Sequence, residues 1–152
     1  MTSRKDRNDT LSLETFLPYR LNRLADAISR DFASIYRERY GLTRPEWRLL
    51  ATLGQYGTMT ASQIGKHSAM HKTKVSRAVT ALAQRRWLKR ERDAGDRRTE
   101  HLTLTKSGMQ AYGELVPLAR HFEAALFGRI GSERKSKVLD ALDALEELIE
   151  DR

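Results

Sequence analysis

Residues 60–105 constrain this chain more than any other stretch. They read TASQIGKHSAM, then HKTKVSRAVTALAQRRW, then LKRERDAGDRRTEHLTLT. Thr60-Ala-Ser-Gln63 is a capping box, with a hydroxyl and a glutamine three residues apart to satisfy each other's orphan amides, so a short helix starts there. A second helix is predicted over about 71–86. Val75, Ala78, Val79 and Leu82 give it an apolar side, and Lys72, Lys74, Ser76 and Arg77 lie mostly off that side. Two helices joined by a brief turn, the second amphipathic and basic, describe a helix-turn-helix. Trp87-Leu88 and Leu102-Thr-Leu104 then have strand character, with Asp93-Ala-Gly-Asp96 as the turn between two charged arms. This hairpin is a β-wing.

Charge singles out the same segment. From Lys66 to His101 there are eleven Lys or Arg residues and four acids, a net of seven positive charges; the whole chain carries +8. Nearly all the net charge therefore sits in less than a quarter of the residues, on a helix pair and a hairpin. The natural partner is a polyanion with a groove, which means duplex DNA. Diffuse adsorption to an anionic membrane fits such concentrated charge poorly, while RNA stays open on composition alone.

The rest of the composition narrows the chemistry. A chain of 152 residues fits one domain. Cysteine is absent, which removes disulfides, thiolate metal sites and cysteine nucleophiles. No apolar run is long enough to cross a bilayer. The charged start MTSRKDRNDT leads into no apolar signal core, so a cytoplasmic protein is expected.

The flanks are helical. Leu17, Leu21, Leu24, Ile28, Phe32 and Ile35 recur at three- and four-residue steps and predict one long helix from about Leu13 to Tyr40, with Pro18 near its start and Gly41 closing it. Thr43-Arg-Pro-Glu46 opens a helix through Trp47, Leu49, Leu50 and Leu53, which Gly54 and Gly57 end. After the wing, Thr105 caps a helix to about Phe127 whose Pro117 predicts a kink or break near Val116. Ser132 caps a last helix striped by Val138, Leu142, Leu145 and Ile149.

The fold class expected is mainly α with a small β-wing. It forms a single domain over 1–152, with a winged helix-turn-helix lobe at about 43–105 between helices at about 11–40 and 106–151. These outer helices hold more apolar stripe than the lobe can cover, and their simplest use is to build a homodimer. Two-fold symmetry would present two reading helices to half-sites one turn apart, ~34 Å.

The order and spacing of these motifs resemble the MarR (multiple antibiotic resistance regulator) family of bacterial winged helix-turn-helix transcription factors. Val75-Ser-Arg77, Asp96-Arg-Arg98 and Leu104-Thr-x-x-Gly108 carry the resemblance, which runs from about Leu11 to the carboxyl end. Each motif alone is weak; in order and at these spacings they are strong. The resemblance implies a homodimer with interleaved helical ends that binds a pseudo-palindrome, usually as a repressor. It also implies a small-molecule pocket between the dimerisation helices and the DNA-binding lobe, whose ligand releases the DNA.

The reading helix is expected to enter the major groove. His71, Lys72, Thr73, Lys74, Ser76 and Arg77 are placed to reach bases and flanking phosphates; lysine acts as a point charge, and Arg77 can grip guanine O6 and N7. The alternative for this set is a solvated basic face. Arg98, matching the family's wing arginine, is expected in the minor groove, with Arg97 as its substitute and Asp96 fixing the wing through a nearby arginine. Thr60, Ser62 and Gln63 stand where free backbone amides at a helix start favour a phosphate, although the capping box alone explains Thr60 and Gln63.

Candidates for an effector site are Phe16, Arg20 and Arg23 on the first helix, Trp47 and Arg48 on the second, and His67. An aromatic wall with an arginine suits an aromatic carboxylate, free or as a thioester. Otherwise the aromatics are core and the arginines surface. His67 and His71 lie four apart, but the helix break between them and the lack of nearby carboxylates or thiols leave no expected metal site and no cofactor. His101 and His121 stand isolated in the sequence. No nucleophile elbow or glycine-rich phosphate loop is present, so no enzyme is expected. The rival function is a constitutive or architectural DNA-binding protein without effector control.

Overall fold

The computed structural model describes residues 10–150, and the charged start of the chain at residues 1–9 lies outside them. The described chain falls into two compact units that divide between Arg44 and Pro45.

The first unit is dominated by α1 (Leu17–Tyr40), which begins with Pro18 in its first turn and ends at Gly41 in a left-handed cap, φ +66°. Proline is harmless there because the first amides of a helix have no intrahelical acceptor. Phe32, Ala33 and Tyr36 are buried, whereas Leu17, Leu21, Leu24 and Ile28 are exposed along the predicted stripe. Asp26 accepts from both Arg30 and Arg44. Hydrogen bonding from Arg44 first, then from Arg30, holds its carboxyl below the usual range.

The second unit contains α2 (Arg44–Tyr56, from Pro45 onward), β1 (Met59–Thr60), α3 (Ala61–Ser68), α4 (Lys72–Gln84), β2 (Leu88–Arg92), β3 (Glu100–Leu104), α5 (Lys106–Ile130) and α6 (Ser132–Glu150). The three strands form an antiparallel sheet in the order β1-β3-β2. Leu49, Leu50, Leu53, Ile64, Leu82 and Leu102 are almost fully buried and make its core together with Val75 and Leu115.

Several local devices fix these elements. Thr60 and Gln63 complete the predicted capping box, Gln63 N–H donating to Thr60 Oγ1 and Thr60 N–H to Gln63 Oε1. Thr105 Oγ1 accepts from Gly108 N–H at the start of α5 and donates to the Arg86 carbonyl, joining that helix to the end of α4. A Cβ at Gly108 would lie 2.2 Å from the Trp87 carbonyl oxygen, so only glycine fits this contact. Gly54 does not end α2, as its residue type suggested. It lies inside the helix, under the Tyr112 ring, where a Cβ would approach the ring to 2.6 Å.

Of the kink or break expected near Val116, the break is absent: α5 runs through Pro117 as one helix. Proline removes one amide and crowds the carbonyl four residues back. Here that residue is Gly113, which adds no side chain to the crowding. Among the described residues no helix is long and apolar enough to cross a membrane.

Candidate nucleic-acid interface

The helix-turn-helix turn is built around Ala69, which adopts φ +50° and donates to the Lys66 carbonyl, while Met70 N–H bonds the Gly65 carbonyl. Left-handed backbone costs a non-glycine residue about 1–2 kcal/mol, so tertiary packing imposes this turn against local preference. Met70, the next residue, is buried, which anchors the turn. His71 then caps α4, its Nδ1 accepting from Thr73 N–H at 3.3 Å.

On α4 the buried face is Val75, Ala78, Val79 and Leu82. His71, Lys72, Thr73, Lys74, Ser76 and Arg77 are all exposed on the remaining surface, as are Ser62 and Gln63 on α3; Thr60 is half-buried in its cap. The six α4 candidates thus share one helical end and its solvent side. Helical geometry brings them together because the apolar stripe faces the core.

The wing is more highly organised than its sequence suggests. Asp93 Oδ2 accepts from the N–H groups of Gly95 (3.1 Å) and Asp96 (2.9 Å), and Asp93 N–H donates to the Thr99 carbonyl at 2.9 Å. Its other oxygen, Oδ1, lies 2.9 Å from His101 Nε2. The His101 bond first, then the two amides, hold the Asp93 carboxyl below the ordinary aspartate range. Asp96 was expected to pair with an arginine side chain. Its carboxylate instead accepts from the backbone N–H of Arg98 (3.0 Å) and from the Thr99 hydroxyl (3.2 Å), because a tight tip brings main-chain donors closer than a long side chain. Arg97 and Arg98 are both exposed at the tip. Down the arms, Arg90 pairs with Glu100 at 2.7 Å and Lys89 with Glu91 at 2.8 Å.

Between α3, α4 and the wing lies a cleft of about 650 Å³. Lys66, Lys72, Arg90 and Arg98 line it beside a single acid, Glu100, and Val75, Val79 and Leu102 contribute its apolar surface. A concave, cation-rimmed surface of this kind can receive a phosphodiester backbone, since lysine and arginine supply charge-assisted hydrogen bonds to phosphate oxygens.

Comparison with known proteins bears on the same segment. The MarR family model matches residues 40–99 of the chain, from the end of α1 through the helix-turn-helix to the wing tip. A MarR-family transcriptional regulator from Silicibacter pomeroyi, solved as a crystal structure, is 27% identical, with 92% of this chain and 93% of that one aligned and a TM-score of 0.75. Over residues 40–99 this chain is similar to the MarR family. A second MarR-family regulator of Silicibacter pomeroyi, SPO1453, is 26% identical over 92% of this chain and 99% of its own, with a TM-score of 0.79. The uncharacterized HTH-type transcriptional regulator YwhA of Bacillus subtilis (strain 168) is 26% identical over 91 residues, 60% of this chain and 66% of that protein. Bordetella bronchiseptica BpsR, whose DNA binding is regulated by 6-hydroxynicotinic acid, shares the fold at 22% identity and a TM-score of 0.71, with 84% of this chain and 98% of that one aligned. The MarR relatives are transcriptional regulators, which supports DNA-binding regulation as the class of function.

The effector candidates fall in both units. Phe16, Arg20 and Arg23 are exposed on or beside the start of α1, with the Arg23 guanidinium 6.0 Å from the Tyr19 ring centroid. Trp47 and Arg48 are half-buried on α2. The Arg48 guanidinium donates to the Ser68 carbonyl at the end of α3, and the Thr52 hydroxyl lies 3.2 Å from that of Ser68. His67 Nε2 lies 3.0 Å from the Tyr56 hydroxyl, with the two rings edge to face. Both residues therefore have roles that knit α2 to α3. Among the described residues no three or more His, Asp or Glu side chains group as metal ligands.

Two features escaped the sequence reading. The strand β1 is two residues long, too short for any alternation to show. His101, isolated in the sequence, faces Asp93 across the hairpin. The signal was the strand register itself, which pairs Arg92 with Glu100 and leaves Asp93 just beyond the last rung.

Proposed function

We propose that this chain is a sequence-specific, homodimeric DNA-binding regulator of the MarR family acting in the cytoplasm, a repressor released by a small-molecule effector such as an aromatic acid or its thioester. The observation that carries the DNA-binding part is the alignment of three basic features on one lobe. These are the exposed end of α4 with Lys72, Lys74 and Arg77, the cation-lined cleft beside it, and the ordered tip holding Arg97 and Arg98.

In this reading α4 lies in the major groove with Arg77, Ser76 and Thr73 toward base edges. Lys72 and Lys74 meet phosphates, and Arg98 reaches the minor groove beyond. Residues 43–105 form the reading lobe, and α1, α5 and α6 form the dimer. The exposed apolar residues Leu21, Leu24 and Ile28 on α1, and Val138, Leu139 and Leu142 on α6, support the pairing. A second copy would remove them from water and set two reading helices one DNA turn apart, ~34 Å. BpsR, regulated by an aromatic acid, supports an effector of that chemistry acting on this fold. Such a ligand must prefer the spacing that does not fit the operator, because equal affinity for both states shifts nothing.

The test is fluorescence anisotropy with a labelled fragment from upstream of the protein's own gene, against a scrambled duplex at several salt concentrations. A preference of ~10³ or more with a steep salt slope is expected. Arg77→Ala and Arg98→Ala are each expected to weaken binding by about 1–3 kcal/mol and to leave the dimer intact in sedimentation. Equal affinity for both duplexes overturns sequence-specific regulation in favour of an architectural role. An aromatic acid that raises thermal stability yet leaves operator affinity unchanged rules out release by that ligand.

A further inference from the structure

The geometry points to His101 as a positioning residue for DNA binding: from the centre of the sheet it holds the wing tip in the one conformation that presents Arg98. The inference rests on the DNA-binding reading above. His101 lies on β3, the central strand, opposite Thr60 of β1 on one side and Glu91 of β2 on the other. A residue with strands on both sides is anchored far better than the tip, which extends beyond the last strand pair, Arg92 with Glu100.

A continuous chain of hydrogen bonds runs outward from this anchor. His101 Nε2 and Asp93 Oδ1 are 2.9 Å apart. The second oxygen of the same carboxylate accepts from Gly95 and Asp96 N–H. Asp96, fixed in turn, accepts from Arg98 N–H and from the Thr99 hydroxyl. Three links therefore separate an imidazole in the sheet from the backbone of the tip arginine.

The direction of the chain matters. Asp93 alone can close the turn with one oxygen, but its side chain is then free to rotate about its terminal bond, and the tip moves with it. The imidazole binds the other oxygen and removes that rotation. An ordered tip places the Arg98 guanidinium before the encounter with DNA, so less freedom is lost on binding. His101 itself need not touch DNA. The role requires only an N–H donor at the position of Nε2, which a glutamine can supply and an alanine cannot.

The experiment measures two readouts on His101→Ala, His101→Gln, Arg98→Ala and the His101→Ala/Arg98→Ala double variant. The first is amide hydrogen exchange at Gly95 and Asp96 in the free protein, which does not involve DNA. The second is the affinity for the operator fragment. In His101→Ala both amides should exchange about tenfold faster, and affinity should fall about tenfold, part of the loss that removing Arg98 itself causes. His101→Gln should restore most of both. In the Arg98→Ala background the loss of His101 should cost less than about twofold, because its effect passes through that side chain.

Unchanged exchange at Gly95 and Asp96 in His101→Ala overturns the wing lock. An affinity loss of equal size with and without Arg98 overturns the positioning role, as does a failure of glutamine to rescue. If His101→Ala does not fold, His101→Leu, which fills the space without a donor, takes its place: faster exchange and weaker binding in His101→Leu with wild-type values in His101→Gln support the role, and wild-type values in both overturn it. If the unaltered protein binds no duplex, the DNA-binding reading fails, and the positioning role with it, while exchange at Gly95 and Asp96 still shows whether His101 orders the tip.

Discussion

Leu82 on α4 and Leu142 on α6 occupy equivalent places, each on the apolar stripe of an amphipathic helix, yet Leu82 is fully buried and Leu142 is 41% exposed. The contrast extends to whole elements. Helix α4 buries four residues among its thirteen, whereas α6 buries none among nineteen. Burying a leucine is worth about 1.5–3 kcal/mol, so a stripe that stays in water is a stabilising reserve for an encounter with another surface. The winged helix therefore buries its own apolar face within one chain, whereas the stripe of α6 stays exposed.

Breaking that contrast at α6 gives the largest expected effect. Leu142→Glu removes an apolar contact and adds a charge in each copy. The proposed dimer should lose about 3–6 kcal/mol of association free energy if two leucines are covered in it. Sedimentation at micromolar concentration should then show monomer, while Leu82 and its neighbours keep the winged helix folded. A Leu142→Glu protein that sediments as the unaltered chain does would show that α6 faces no second copy.

The two ends of α5 sharpen the same point. A Cβ built on Gly108 would meet the Trp87 carbonyl oxygen at 2.2 Å, whereas nothing lies within 4 Å of one built on Gly128. Gly108→Ala should destabilise by about 2–3 kcal/mol, because backbone cannot move aside cheaply. Gly128→Ala should instead stabilise by up to about 1 kcal/mol through helix propensity. Urea unfolding of the two variants checks the pair. Similar changes of one sign would mean that the amino-terminal end of α5 is not a tight joint.

How much of this was legible in the sequence follows from how local each signal is. Thr60 and Gln63 announced their helix because a capping box lies within four residues, and the 3.6-residue repeat of Val75, Val79 and Leu82 announced the next. Gly54 misled because its meaning depends on a distant neighbour: it is a seat for Tyr112 rather than a helix stop. Pro117 does not break α5, which carries glycine four residues back at Gly113. The basic candidates of α4 were readable from periodicity, since a charged residue opposite an apolar stripe must face solvent. The bond between His101 and Asp93 was not, because it needs the hairpin register, and a strand pairing one residue out would turn every side chain to the other face.

The turns separate in the same way. Gly41 and Gly57 take left-handed backbone where glycine is at home, but Ala69 does so with a Cβ, at the centre of the helix-turn-helix. Ala69→Gly relieves about 1–2 kcal/mol of strain and loses part of it to the greater freedom of the unfolded chain, for a net gain of roughly 0.5–1 kcal/mol. A rise in the urea midpoint at constant slope is the expected result. A fall would mean that the alanine methyl contributes more to packing than its backbone costs.

The smallest effect concerns the wing tip, held by hydrogen bonds where the lobe beneath it is held by burial. Asp93 titrates below its ordinary range because His101, and then the amides of Asp96 and Gly95, bind its charged form. A depressed carboxyl contributes stability that is fully present above its unfolded value, near 3.9, and is lost as pH falls through the lower folded value. The tip should therefore stay ordered at pH 5 and loosen only on strong acidification, while the leucine core of the lobe is indifferent to those protons. The carboxyl carbon shift of Asp93, followed by NMR, should move below pH 3.9 in the unaltered protein. It should move back toward the ordinary value in His101→Ala, which removes the largest of the three causes. An Asp93 midpoint at the ordinary value in both proteins would show that the tip is open in solution and that its bonds do not set the charge it presents.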